Sequence, residues 1–118
     1  WPTTTTSAGL LLLAHAPQDV QDTVLSRPIK KFTEKTLIDI AQIRRELALI
    51  RSQGFSISDR QVSMEALSIS APIVKPGGSV IAALSLVVAA EGASVHSLTP
   101  LVRTSARAIS RALNGARI

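Results

Sequence analysis

The side chains of this chain best suited to ligand chemistry are hydroxyls. Ser68 and Ser85 lie in two uncharged, strand-like runs, LSISAPIV and SVIAALSLVV, on either side of the turn Lys75-Pro76-Gly77-Gly78. Two hydroxyls facing each other across a hairpin offer two donors to one carboxylate. Near the start, Ser7, Ala8 and Gly9 open a short apolar helix, and the free backbone N–H groups of a helix N-terminus attract carboxylate or phosphate. A bland alternative stands beside each reading. Strand serines often bond only neighbouring backbone, and a capped helix start satisfies its own N–H groups. The usual catalytic groups are poorly placed. Cysteine is absent, and His15 and His96 stand far apart without ligand spacing. No Ser/His/Asp set, carboxylate couple or phosphate loop has supporting context, so no catalytic residue, metal ligand or cofactor is expected. A hydrolase built on Ser7 has no histidine placed to serve as its base.

The elements that must position these hydroxyls start from the hairpin. A Pro-Gly-Gly turn between two apolar runs is a strong hairpin signal. Closing it at Lys75 and Gly78 puts Leu67, Ile69, Ala71 and Ile73 opposite Leu86, Leu84, Ala82 and Val80, which forms a core face. The other face then pairs Ser68 with Ser85, Ser70 with Ala83 and Pro72 with Ile81, with Val87 beside Ala66. Neither run carries a charge between Ala66 and Val74 or between Gly78 and Ala90. A solvated sheet face ordinarily carries charged or polar residues. Both faces are therefore expected to be covered, the serine face by helices, by a ligand or by both.

Ahead of the hairpin, Thr5, Thr6 or Ser7 is expected to cap a helix through the leucines at 10–13. PQDVQDTVLSR reads as a second short helix with proline in its first turn. Thr36 is expected to cap a long helix whose stripe is Leu37, Ile40, Ile43, Leu47 and Ile50, closed by Gly54. FSIS at 55–58 reads as a short strand with Phe55 and Ile57 inward, and Asp59, Arg60 and Glu65 fall in an exposed loop. The last helix is expected to start at Ser97 or Thr99 with Pro100. Its buried stripe would be Leu98, Leu101, Val102, Ala106, Ile109 and Leu113. Arg103, Arg107 and Arg111 recur every four residues on another face and read as solvated.

Composition bounds the rest. A chain of 118 residues makes one domain or a piece of one. With aromatic residues at 3%, the core must be aliphatic. The lack of cysteine fits a reducing, cytoplasmic compartment. No apolar run reaches the roughly 18 residues of a membrane span. The formal net charge of +5 is dispersed and lacks interleaved aromatics, so direct DNA binding by these residues is not expected. The chain opens on Trp1-Pro2 rather than methionine, so preceding sequence is expected.

Taken together, the stretches resemble one family. WPTTTTSAGLLLLA resembles the PLHATAxGKALLA segment of the IclR-type transcriptional regulators. ELALIRSQGFSIS, LSISAPIVKPGGSVIAALSLV and the closing LVRTSARAISRALNG resemble three further stretches of that family, in the same order. The resemblance implies an α+β sensor domain of GAF-like or profilin-like type, with an antiparallel sheet flanked by helices. It implies that residues 1–118 are the later part of an effector-binding domain. A winged helix-turn-helix and the first sensor strands would lie outside this chain. It also implies a small organic or aromatic acid as effector, a homodimer or homotetramer, and operator DNA bound only through the missing domain. Carried over by position, the family's effector contacts fall on Ser7, Ala8, Ser58, Ser68, Ser85 and Val87, and the helix start adds Gly9. The family's Gly-Lys is Gly9-Leu10 here, Ser58 stands where an acid is frequent, and Val87 where a hydroxyl occurs. The reading is a ligand-sensing regulator fragment that is not an enzyme. The alternative is a structural oligomerisation module whose serine face is dry core.

Overall fold

Strand β2 (Ala66–Val74) runs between two partners, β1 (Ser56–Asp59) and β3 (Val80–Ala89), in a three-stranded antiparallel sheet of order β1-β2-β3. The computed structural model describes residues 6–29, 31–61 and 63–115. Helices α1 (Ser7–Ala14), α2 (Gln18–Leu25) and α3 (Ile40–Gln53) precede the sheet, and α4 (Val95–Gly115) follows it. The architecture is α+β.

Period-two alternation in β2 sends its residues to two different covers. Leu67, Ile69, Ala71 and Ile73 are buried against Val102 and Ala106 of α4. Removing a leucine or isoleucine side chain from water on this face is worth about 1.5–3 kcal/mol. Across the sheet, α1 packs on all three strands. Its Leu10, Leu11, Leu13 and Ala14 form a second core with Leu25, Ile43, Leu47 and Ile50, and Ala83 of β3 packs against it. Helices thus cover both faces of the central strand, but on β3 the serine face stays open at Ile81, Ser85 and Val87, so the expected cover is incomplete there.

The local signals explain most element ends. Thr6 caps α1, its hydroxyl accepting the Gly9 N–H at 3.0 Å. Gly54 closes α3 in the left-handed region at φ 83°, where only glycine is unstrained. The long helix does not begin at Thr36, however. Asp39 caps it, accepting the Ala41 N–H at 2.9 Å. Thr36 is buried instead, donating to the Gln61 carbonyl and accepting the N–H groups of Phe32 and Thr33. Its hydroxyl fastens the 31–36 loop to the segment after β1, so it is not free to cap. Ile40, expected in the stripe, is exposed, while Ile43, Leu47 and Ile50 are buried.

Three further expectations change. Strand β1 starts at Ser56, and Ser56 and Ser58 are its buried residues, with Ile57 packed against the α4 side. Of the loop expected to be exposed, Glu65 is exposed, whereas Asp59 and Arg60 are half-buried and ion-paired at 3.2 Å. Helix α4 starts at Val95 because Ser94 caps it early: its hydroxyl accepts the Ser97 N–H at 3.2 Å. Pro100 therefore sits inside the helix, where its missing N–H leaves the i−4 carbonyl at the exposed His96 to water. The buried stripe turns accordingly to Thr99, Val102, Ala106 and Ser110, leaving Leu101, Ile109 and Leu113 exposed.

The hairpin register also differs. Ser85 stands opposite Ser70, and Ser68 opposite Val87. The turn closes between Lys75 and Ser79, with the Lys75 N–H donating to the Ser79 carbonyl at 3.1 Å, so Val74 pairs with Val80. An irregularity between Ile73 and Val74 then adds one more residue on β3. A displacement of two residues preserves which face each side chain occupies. The core face and the serine face survive; the partners within them do not.

Candidate functional site

The serine face is ordered in two rows across the three strands. Ser56, Ser70 and Ser85 form one row, and Ser58, Ser68 and Val87 the next. Helix α1 enters above the first row. The Ser7 hydroxyl lies 2.6 Å from that of Ser70, and the Ser70 hydroxyl lies 2.5 Å from that of Ser85. Ser7 and Ser70 are fully buried, whereas Ser85 is exposed. A continuous chain of hydroxyls therefore runs from the start of α1 to the surface of β3.

Each hydroxyl has one proton to donate, so the chain has a direction. An anion at Ser85 accepts a hydrogen bond from the Ser85 hydroxyl, which leaves Ser85 as the acceptor for Ser70 and Ser70 as the acceptor for Ser7. Bonds aligned in this way polarise one another. The N-terminus of α1 adds a positive partial charge at the inner end. Its first intrahelical bond runs from the Leu10 N–H to the Thr6 carbonyl, so the N–H groups of Ser7, Ala8 and Gly9 precede it. That of Gly9 donates to the Thr6 hydroxyl.

Of the residues singled out by sequence, Ser7 and Ser85 are joined through Ser70. Ser58 is buried, Ser68 half-buried and Val87 exposed, all in the neighbouring row. Ser68 and Ser85 are not a facing pair. Ser70 and Ser56 went unremarked as site residues because the expected register placed Ser70 against Ala83. Their signal was the alternation of small hydroxyl residues in FSIS and LSIS. The Ser56 hydroxyl is buried without a hydrogen-bond partner among the described residues. Ile81, Ala83 and Val87 supply apolar surface on the same face of β3.

Nucleophilic chemistry does not fit this arrangement. Ser7 is buried against Ser70, and the His15 imidazole lies against the Leu11 carbonyl, Nδ1 to oxygen 3.0 Å, at the other end of α1. Among the described residues no group of three His, Cys, Asp or Glu side chains is disposed to hold a metal. No described helix is long and apolar enough to cross a membrane.

The fold and its sequence both have relatives. Residues 1–111 match the family described as bacterial transcriptional regulator IclR C-terminal. The chain is similar to the HTH-type transcriptional repressor AllR of Klebsiella pneumoniae, at 31% identity over 121 residues, covering 95% of this chain and 43% of that protein. It is also similar to the crystal structure of an IclR homolog complexed with 4-hydroxybenzoate from Microbacterium hydrocarbonoxydans. That likeness has a TM-score of 0.93 at 33% identity and covers 98% of this chain and 48% of the other. The C-terminal domain of the E. coli transcriptional regulator KdgR superposes with a TM-score of 0.85 at 26% identity, covering 96% of this chain and 71% of that one. The chain thus spans a little under half the length of AllR and of the hydroxybenzoate-bound homolog. By the extent of the family match and the identity to AllR, the chain belongs to the IclR family of bacterial transcriptional regulators, within their C-terminal domain.

Proposed function

We propose that this chain is the ligand-sensing part of a transcriptional regulator and takes a small carboxylic acid on its serine face. The observation that carries the reading is the Ser7–Ser70–Ser85 hydroxyl chain, which links a helix N-terminus to an exposed strand position. Its donors suit a carboxylate without any cationic side chain. Ile81, Ala83 and Val87 provide an apolar wall for the body of the ligand. The 4-hydroxybenzoate held by the Microbacterium hydrocarbonoxydans homolog supports an aromatic acid as the first candidate.

In this reading the acid works by differential binding. It stabilises the arrangement in which α1 and the sheet are clamped together by aligned hydroxyls. A coupling of about 1–3 kcal/mol between this site and a DNA-binding domain outside the chain would change operator occupancy usefully. The DNA-binding part would be a helix-turn-helix preceding these residues, the protein a cytoplasmic homodimer or homotetramer, and residues 1–118 the later part of the effector domain. The test is calorimetry on the intact protein with 4-hydroxybenzoate and a panel of small carboxylic acids. Saturable binding by at least one acid is expected; no heat from any of them overturns the proposal.

One observation favours the second reading, a structural oligomerisation module. Strand β3 is an edge strand, and Leu101 and Leu113 on α4 are exposed apolar residues. Acid binding that leaves subunit assembly unchanged would separate sensing from assembly.

A further inference from the structure

Of the arginine row on α4, Arg107 and Arg111 are exposed as a solvated face requires, whereas Arg103 is half-buried. A cavity of about 170 Å³ opens between the end of α3, strand β2 and α4, on the side of the sheet away from α1. Gly54, Ala71, Pro72, Arg103, Ala106 and Arg107 line it, so its walls are small or apolar apart from two guanidinium groups. From this cavity we infer a second ligand site, which takes the phosphate or carboxylate group of a small metabolite between Arg103 and Arg107.

Arg103 is held in place by the fold. Its guanidinium carbon sits 5.2 Å from the centre of the Phe55 ring, a cation–π distance. It also approaches the C-terminal end of α3, whose partial negative charge favours a cation. The guanidinium lies beside Gly54: a Cβ added there would meet Arg103 Nη2 at 3.5 Å, an ordinary contact. Those contacts account for Arg103 without any ligand. They do not account for Arg107, one turn further along the same face. Like charges at this spacing repel by a few tenths of a kcal/mol.

The chemistry of the lining selects the ligand. Two planar guanidinium forks match the oxygens of a phosphate or carboxylate, and no lining residue is acidic to neutralise them first. A water's share of liquid volume is about 30 Å³, so the cavity has room for one such group with several waters. Ala71, Pro72 and Ala106 offer no polar atom of their own side chains, so the two guanidinium groups are the lining's charged donors. A bound oxyanion would tie α4 more firmly to the end of α3 and to β2.

The test titrates inorganic phosphate, and in a second arm malonate, into the intact protein at constant ionic strength with chloride as reference. The side-chain Nε–H signals of Arg103 and Arg107 are followed by NMR. Saturable shifts of both signals are expected, with affinity about tenfold weaker in Arg107→Gln, as the loss of a charge-assisted contact predicts. Arg107 is exposed, so that variant keeps the fold. Binding in only one arm identifies the oxyanion class and supports the site. Shifts that match chloride in both arms, or an unchanged affinity in Arg107→Gln, overturn it. Ser85→Val should leave phosphate binding intact whatever it does to aromatic acids, which keeps this result separate from the serine-face proposal.

Discussion

Ser7 and Ser70 lie 63 positions apart in the chain, yet their hydroxyl oxygens meet at 2.6 Å in the interior. Ser70 is the middle member of the hydroxyl chain and bonds on both sides. Ser70→Ala therefore strands the buried Ser7 hydroxyl, at a cost of about 1–3 kcal/mol. Ser7→Ala leaves Ser70 its bond to Ser85 and should cost less. Urea unfolding of both variants and of the double variant tests this. Additive losses would show that the two hydroxyls do not act together.

The two sheet faces were legible in the sequence because period-two alternation survives any shift by an even number of residues. What the alternation cannot encode is the closure of the turn at Ser79 and the irregularity at Ile73 and Val74, which together moved Ser85 from Ser68 to Ser70. Thr6 and Gly54 were legible for a related reason: each does its work within its own turn. Thr36 was misread because its partner, the Gln61 carbonyl, lies 25 positions away, and nothing local distinguishes a capping threonine from one that fastens a loop. The start of α4 was missed because proline at the first turn of a helix outweighed Ser94, the residue whose hydroxyl caps it.

The roles of Asp39 and Thr36 can be ranked by experiment. Asp39→Ala removes one exposed cap bond and should cost about 1 kcal/mol. Thr36→Val takes the acceptor from two N–H groups and the donor from the Gln61 carbonyl, in a buried position. It should cost more, about 2–3 kcal/mol. Thermal unfolding in which Asp39→Ala proves the more damaging would return Thr36 to the role of a cap.

Acid should loosen the link between α2 and α3. The Gln18 amide, at 3.0 Å, and then the Arg44 guanidinium, at 3.1 Å, hold the Asp22 carboxyl below its ordinary value. The lowered folded value means that this stabilisation is present above the unfolded value and is lost as pH falls through the folded one. Because Asp22 is exposed, the effect is small and screened by salt. A carboxyl-carbon NMR titration should place the Asp22 midpoint low and raise it in Gln18→Ala. An unmoved midpoint in that variant would remove Gln18 as the main cause.

The 118-residue chain on its own should self-associate. Strand β3 is an edge strand, and Ile81, at 52% exposure, and Leu101, at 59%, stand out on the surface. A free strand edge beside apolar side chains is a template for further pairing. Light scattering should give a mass above that of one chain, and Leu101→Lys with Ile81→Lys should lower it. A stable monomer at micromolar concentration would contradict this.

The observed register separates two serines that sequence had paired, and effector binding should separate them as well. Ser85 ends the hydroxyl chain at the surface, so an acid bound there accepts its hydrogen bond directly and aligns Ser70 and Ser7 behind it. Ser68 stands in the neighbouring row opposite Val87 and has no place in that chain. Ser85→Val should weaken binding of the acid by about 1–3 kcal/mol, the range for losing a hydrogen bond to a charged group. The fold should tolerate it, because valine suits a strand and Ser70 keeps its bond to Ser7. Ser68→Ala should change affinity much less. Calorimetry on the folded intact protein decides between them. Equal losses in the two variants would place the carboxylate between the rows, and an unaltered affinity in Ser85→Val would mean that the hydroxyl chain is structural and the acid binds elsewhere.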